Sequence, residues 1–121
     1  MTSYPHLRPL ARSRLAWLSP EQGGRRSGIP PGPDYAATMR LAEPAEPTPD
    51  LSVIVRYLDA PPGVAGQEFD AHLCFLAPEH AAAVLAVGTR IEVCEGPRAV
   101  AAGVVTALLG DAGGSNSGEL G

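Results

Sequence analysis

Residues 88–109, GTRIEVCEGPRAVAAGVVTALL, decide the fold of this chain. Arg90, Glu92 and Cys94 alternate with Ile91 and Val93, the two-residue period of a strand with one face on a core. Glu95-Gly96-Pro97-Arg98 is a tight turn, and the apolar run beyond it is a second strand. The stretch therefore predicts a β-hairpin.

The same period recurs upstream. Leu51–Leu58, LSVIVRYL, is β-branched and places Leu51, Val53, Val55 and Tyr57 on one face. Gln67–Leu76 puts Phe69, Ala71, Leu73 and Phe75 inward, with Asp70, His72 and Cys74 outward. Arg12–Leu18, with Leu15 and Trp17 on one face, and Tyr35–Leu41 complete the set. Breakers separate these runs: Glu21–Pro33 is rich in Gly and Pro, and Glu43–Asp50 (EPAEPTPD) is a Pro-rich acidic connector expected to be a mobile surface loop. One segment has conflicting signals. Pro78 to Gly88 has Pro at its start, an Ala run and Gly at its end, which suit one or two turns of helix. Six short strands and little helix predict an all-β, closed or nearly closed antiparallel Greek-key barrel. Closure would remove the exposed edges that apolar strands otherwise present. The expected organisation is a flexible lead-in over 1–11, a barrel over 12–110 and a disordered Gly/Ser-rich tail over 111–121.

At 121 residues the chain is one domain. It contains no lysine; all nine basic residues are arginine. Charge is uneven: residues 1–40 hold six Arg against Glu21 and Asp34, whereas 41–121 hold three Arg against eleven carboxylates. Such a split suits either a basic face for an anionic partner or ordinary solvation of strand exteriors. No run of 18 apolar residues suggests a membrane helix, and the first residues lack the apolar core of a signal peptide. Two cysteines make no disulfide framework, which favours a reducing, cytoplasmic setting.

Chemistry is sparse. Without lysine there is no phosphate-binding G-x-x-x-x-G-K-[ST] loop, so no nucleotide is expected. His72, Cys74, His80 and Cys94 match no zinc spacing, so no metal or other cofactor is expected. No nucleophile stands beside a base and an orienting group, so the chain is not expected to be an enzyme. The loop Glu21-Gln22-Gly23-Gly24-Arg25-Arg26-Ser27 is different: two adjacent arginines on a glycine loop could grip phosphate, while the glycines could equally serve backbone turns alone.

These stretches resemble the third, C-terminal domain of elongation factor Tu, whose last segment runs G-L-R-F-A-I-R-E-G-G-R-T-V-G-A-G-V-V. Gly88, Arg90, Glu95, Gly96, Arg98, Val100, Ala102, Gly103, Val104 and Val105 fall on matching positions. Glu21-Gln22-Gly23-Gly24-Arg25 stands where that family has E-G-G-R, Arg26 replaces its histidine and Ser27 its threonine. Asp34-Tyr35-Ala36-Ala37 stands where it has R-P-Q-F. The likeness spans residues 12–110, and for 79–87 it implies a loop leading into a strand rather than a helix.

The resemblance implies a translation-factor barrel without its GTPase domain, a non-catalytic binding module engaging tRNA or a translation-related protein. Arg25, Arg26, Ser27, Glu95, Gly96 and Arg98 would be its binding residues. Arg90 and Glu92 would lie on the former interdomain surface. The alternative it implies is a decoy or protection protein that binds a toxin or antibiotic aimed at elongation factor Tu.

Overall fold

A computed structural model describes residues 4, 6–43 and 50–109. The 111–121 tail and most of the acidic connector lie outside the described residues. Six strands form one closed antiparallel barrel: β1 (Pro9–Trp17), β2 (Asp34–Leu41), β3 (Leu51–Tyr57), β4 (Glu68–Phe75), β5 (Arg90–Glu95) and β6 (Arg98–Leu108). Around the ring their order is β1-β4-β3-β2-β5-β6. The consecutive strands β2, β3 and β4 return to β1, which is the Greek-key arrangement. Closure between β1 and β6 leaves no free edge.

The inward faces are those the alternation predicts. Leu15, Trp17, Val53, Val55, Tyr57, Ala71, Leu73, Phe75, Ile91 and Val93 are all buried in one cluster. Ser13 is the buried polar residue among them, and its Oγ donates to Ala71 O at 3.3 Å, which satisfies the hydroxyl.

Three local features lie outside what strand alternation predicts. First, β1 begins at Pro9 rather than Arg12, with Leu10 and Ala11 already in the core. Pro9 is tolerated because it opens the strand, and the register shifts between Pro9 and Ala11. Tyr4 and residues 6–8 then lie outside β3. Arg56 donates to the carbonyls of Tyr4 and Leu7, and Tyr4 N donates to Asp34 Oδ2 at 3.0 Å. Part of the expected lead-in is thus fastened to the barrel wall.

Second, Pro78–Ala82 forms a helix of one turn, α1, and β5 starts only at Arg90. Proline opens the helix, but Ala77 supplies no side-chain cap, and nothing in so short a run offsets the cost of nucleation except burial of Ala81 and nearby Leu85. The segment closes the end of the barrel where β4 ends and β5 begins.

Third, Cys74 and Cys94 point outward as the alternation requires, yet both are buried. Cys74 pairs across to Ile54 on the side where Tyr4 and Leu7 meet Arg56, and Ile54 is buried too. The two thiols lie on β4 and β5, separated around the ring by β3 and β2. They are free, not cross-strand neighbours.

Candidate functional site

The end of the barrel opposite α1 gathers three connections: residues 18–33 between β1 and β2, residues 58–67 between β3 and β4, and the β5–β6 turn. Of the residues the sequence singles out, Arg25, Arg26, Ser27, Glu95, Gly96 and Arg98 all lie here.

The first connection is built by local rules. Ser19 and Gln22 form a capping box: Gln22 N donates to Ser19 Oγ at 3.3 Å, and Ser19 N donates to Gln22 Oε1 at 2.9 Å. A single 3-10 turn, Pro20–Gln22, results where breakers predicted irregular loop. Gly24 then crosses so close to Leu18 that a Cβ would collide with the Leu18 carbonyl oxygen. At least part of the glycine pair therefore serves the backbone. In the β5–β6 turn, Gly96 has φ +60° and is followed by Pro97, the pattern of a type II′ hairpin turn.

A charged bridge joins these two loops. Arg25 Nε donates to Glu95 Oε2 at 2.8 Å, and Arg25 Nη1 donates to Gly28 O at 2.6 Å. Tyr35 Oη donates to the same Glu95 oxygen. The Arg25 guanidinium also lies over the Tyr35 ring, 5.3 Å from its centroid, a cation–π geometry. Tyr35 meets Trp17 edge-on at 5.2 Å, and Trp17 stacks on Phe69 at 5.7 Å, so the bridge rests on the aromatic floor of the core.

Titration follows from this packing. Burial, reinforced by Glu95, pushes the Tyr35 phenol far above its ordinary value. The Tyr35 hydroxyl, aided by Arg25, holds Glu95 below the ordinary glutamate range. Glu95→Gln is accordingly expected to cost about 1 kcal/mol at neutral pH, a modest figure because the carboxylate is one-third exposed and screened. With the folded pKa depressed, the stabilisation is present above the unfolded glutamate pKa and vanishes as pH falls through the folded one. Urea midpoints of the two proteins should converge as pH falls below the ordinary glutamate range.

The bridge sorts the sequence candidates. Arg25 and Glu95 are tied into the fold. Arg26 and Ser27 are exposed beside them. Arg98 is half exposed and approaches Glu95 at 3.8 Å. Arg26 has no ion-pair or hydrogen-bond partner among the described residues. Two arginines with available guanidinium groups therefore flank the bridge.

Arg90 and Glu92 are elsewhere, on the outer face of β5. They line a shallow groove of about 540 Å³ floored by Ala16, Ala102, Gly103 and Val104 and rimmed by Arg14 and Glu68. Glu92 accepts from Arg40 Nε at 2.7 Å, and Arg40 also donates to Pro97 O.

Asp34 and Tyr35, at the start of β2, carry internal contacts. Asp34 accepts from Arg56 Nε at 3.0 Å, and its side chain is only 4% exposed. Burial would raise its carboxyl, but the Arg56 guanidinium and the Tyr4 N–H outweigh that and hold it below the ordinary aspartate range. Neither the Asp34–Arg56 clamp nor the part Tyr35 plays in the bridge is marked by any local sequence motif. A cleft beside the bridge also went unmarked, although the paired prolines Pro30-Pro31 and Pro61-Pro62 and the single tryptophan were visible signals.

Among the described residues no three or more His, Cys, Asp and Glu side chains are grouped to hold a metal ion, and no helix is long and apolar enough to cross a membrane. No protein-family model matches the chain, and no curated protein matches it.

Proposed function

We propose that this chain is a non-catalytic binding module that engages RNA, of the kind used in translation, through the end of the barrel holding the Arg25–Glu95 bridge. The observation that carries this reading is the Arg25–Glu95 bond between residues 70 apart in sequence, which joins the loop carrying Arg26 and Ser27 to the turn carrying Gly96 and Arg98. Arginine offers planar, paired donors that suit phosphate oxygens, and exposed loops on a rigid barrel suit the irregular backbone of folded RNA.

The test is tRNA binding by fluorescence anisotropy across a salt series. Affinity should fall steeply with salt, because phosphate contacts release counterions. Arg26→Ala with Arg98→Ala should weaken binding and flatten the salt slope by about two. Arg25 is left intact, since its loss would disturb the fold. Absence of binding at low salt, or indifference to the double substitution, overturns the RNA reading. The weight then passes to the groove at Arg90 and Glu92, as a docking face for a protein, or for an agent aimed at elongation factor Tu.

A further inference from the structure

The geometry points to the proline-walled cleft beside the bridge as a binding site for a small carboxylic acid with a compact apolar body. The cleft lies between the 20–31 loop and the 61–65 turn, is open to solvent and has a volume of about 450 Å³, within the range of small-molecule sites. Its walls include Trp17, Ile29 and the pairs Pro30-Pro31 and Pro61-Pro62. Proline has a fixed φ and no N–H, so these walls are stiff, apolar and poor in donors. Such a lining fits a rigid hydrocarbon body and keeps the shape of the cleft without a ligand.

Hydrogen-bonding capacity is concentrated in two side chains. Arg25 lines the cleft, and its Nε and Nη1 are occupied by Glu95 and Gly28 O; Nη2 carries no hydrogen bond among the described residues. A guanidinium with a free terminal nitrogen recognises carboxylate oxygen. Trp17 is 98% buried, at 2% exposure, and its Nε1 has no acceptor, an unusual state for a buried indole. Tyr57 Oη donates to Pro30 O at 2.7 Å and so holds one of the proline walls to the core. An acid seated on the prolines, with its carboxylate at Arg25, brings an acceptor to the free Nη2. Arg26 and Arg98 take no part, so this site and the RNA face stand or fall separately.

The chain has one tryptophan, so its indole N–H gives one resonance, and that resonance reports on the cleft. The probe is adamantane-1-carboxylate, rigid and transparent to tryptophan fluorescence, titrated into the full chain and followed by the indole resonance. A saturable shift is expected, with the neutral alcohol adamantane-1-methanol binding about tenfold more weakly because it lacks the charge-assisted contact. Val64 lines the cleft and is 64% exposed. Val64→Glu should therefore leave the urea midpoint unchanged and weaken the acid about tenfold by charge repulsion, with little effect on the alcohol. No saturable shift, equal affinity for acid and alcohol, or equal loss of both in Val64→Glu would overturn the assignment.

Discussion

Gly103→Ala is expected to keep the barrel from closing. A Cβ at 103 would lie 2.8 Å from Leu15 Cα and would overlap the Arg14 carbonyl oxygen. Both obstacles are backbone, so no side-chain rotation relieves the clash. The only escape is to separate β1 from β6 along a seam that pairs Leu15 with Gly103 and extends from Ala11 to Trp17. Overpacking against movable side chains costs about 1–3 kcal/mol. A backbone clash at the closing seam should exceed that and remove a large part of the roughly 5–15 kcal/mol that holds a domain folded. The measurement is urea unfolding followed by Trp17 fluorescence. Gly63→Ala is the control: nothing lies within 4 Å of a Cβ there, and its midpoint should stay near that of the parent. Equal stability of the two variants would refute the close-approach argument.

Arg56→Met should be nearly as damaging, for an electrostatic reason. Arg56 grips Asp34 through two nitrogens, Nε to Oδ1 at 3.0 Å and Nη2 to Oδ2 at 3.3 Å, and holds the carbonyls of Tyr4 and Leu7. Methionine keeps much of the stem but strands a carboxylate that is almost fully buried. Breaking one side of such a pair costs about 3–5 kcal/mol. The pH dependence identifies the cause. In the parent, the depressed Asp34 pKa contributes stability above the unfolded aspartate pKa and loses it as pH falls through the folded value. In Arg56→Met the remaining burial raises that pKa, so the variant's deficit should shrink towards about pH 4, where Asp34 can take a proton. Adding Asp34→Asn should recover part of the loss at neutral pH. A deficit independent of pH, with no recovery in the double variant, would mean that the stranded charge is not the cause.

The strands were legible because each inward face repeats every second residue, as in Val53, Val55 and Tyr57 or Phe69, Ala71, Leu73 and Phe75. Those patterns fix which side of a strand meets the core, and six such strands with turns between them leave few arrangements besides a barrel. What lay beyond reach depends on distance along the chain. Asp34 and Arg56 are 22 residues apart, and Arg25 and Glu95 are 70 apart. No local spacing announces either pair. The arginine loop reads as two equivalent cations in sequence. In the folded chain Arg25 turns back to Glu95 while Arg26 faces solvent, because Gly28 O and the Tyr35 ring hold one guanidinium and not the other. The register shift between Val93 and Cys94 was likewise invisible, since it arises from pairing with β6. Alternation turns Cys74 outward, but it says only which face a residue occupies and nothing about what covers that face, and Cys74 is buried.

The two concealed thiols give the molecule a use in kinetics. Burial raises the pKa of both Cys74 and Cys94, so little reactive thiolate is available while the wall is intact. Alkylation at either sulfur therefore reports transient opening of its own part of the wall. Cys74 samples the part beside the Arg56 contacts to Tyr4 and Leu7, and Cys94 samples the strand leading into the Glu95 bridge. A timed exposure to alkylating reagent, followed by mass analysis of the two peptides, would give separate clocks for the two regions within one molecule.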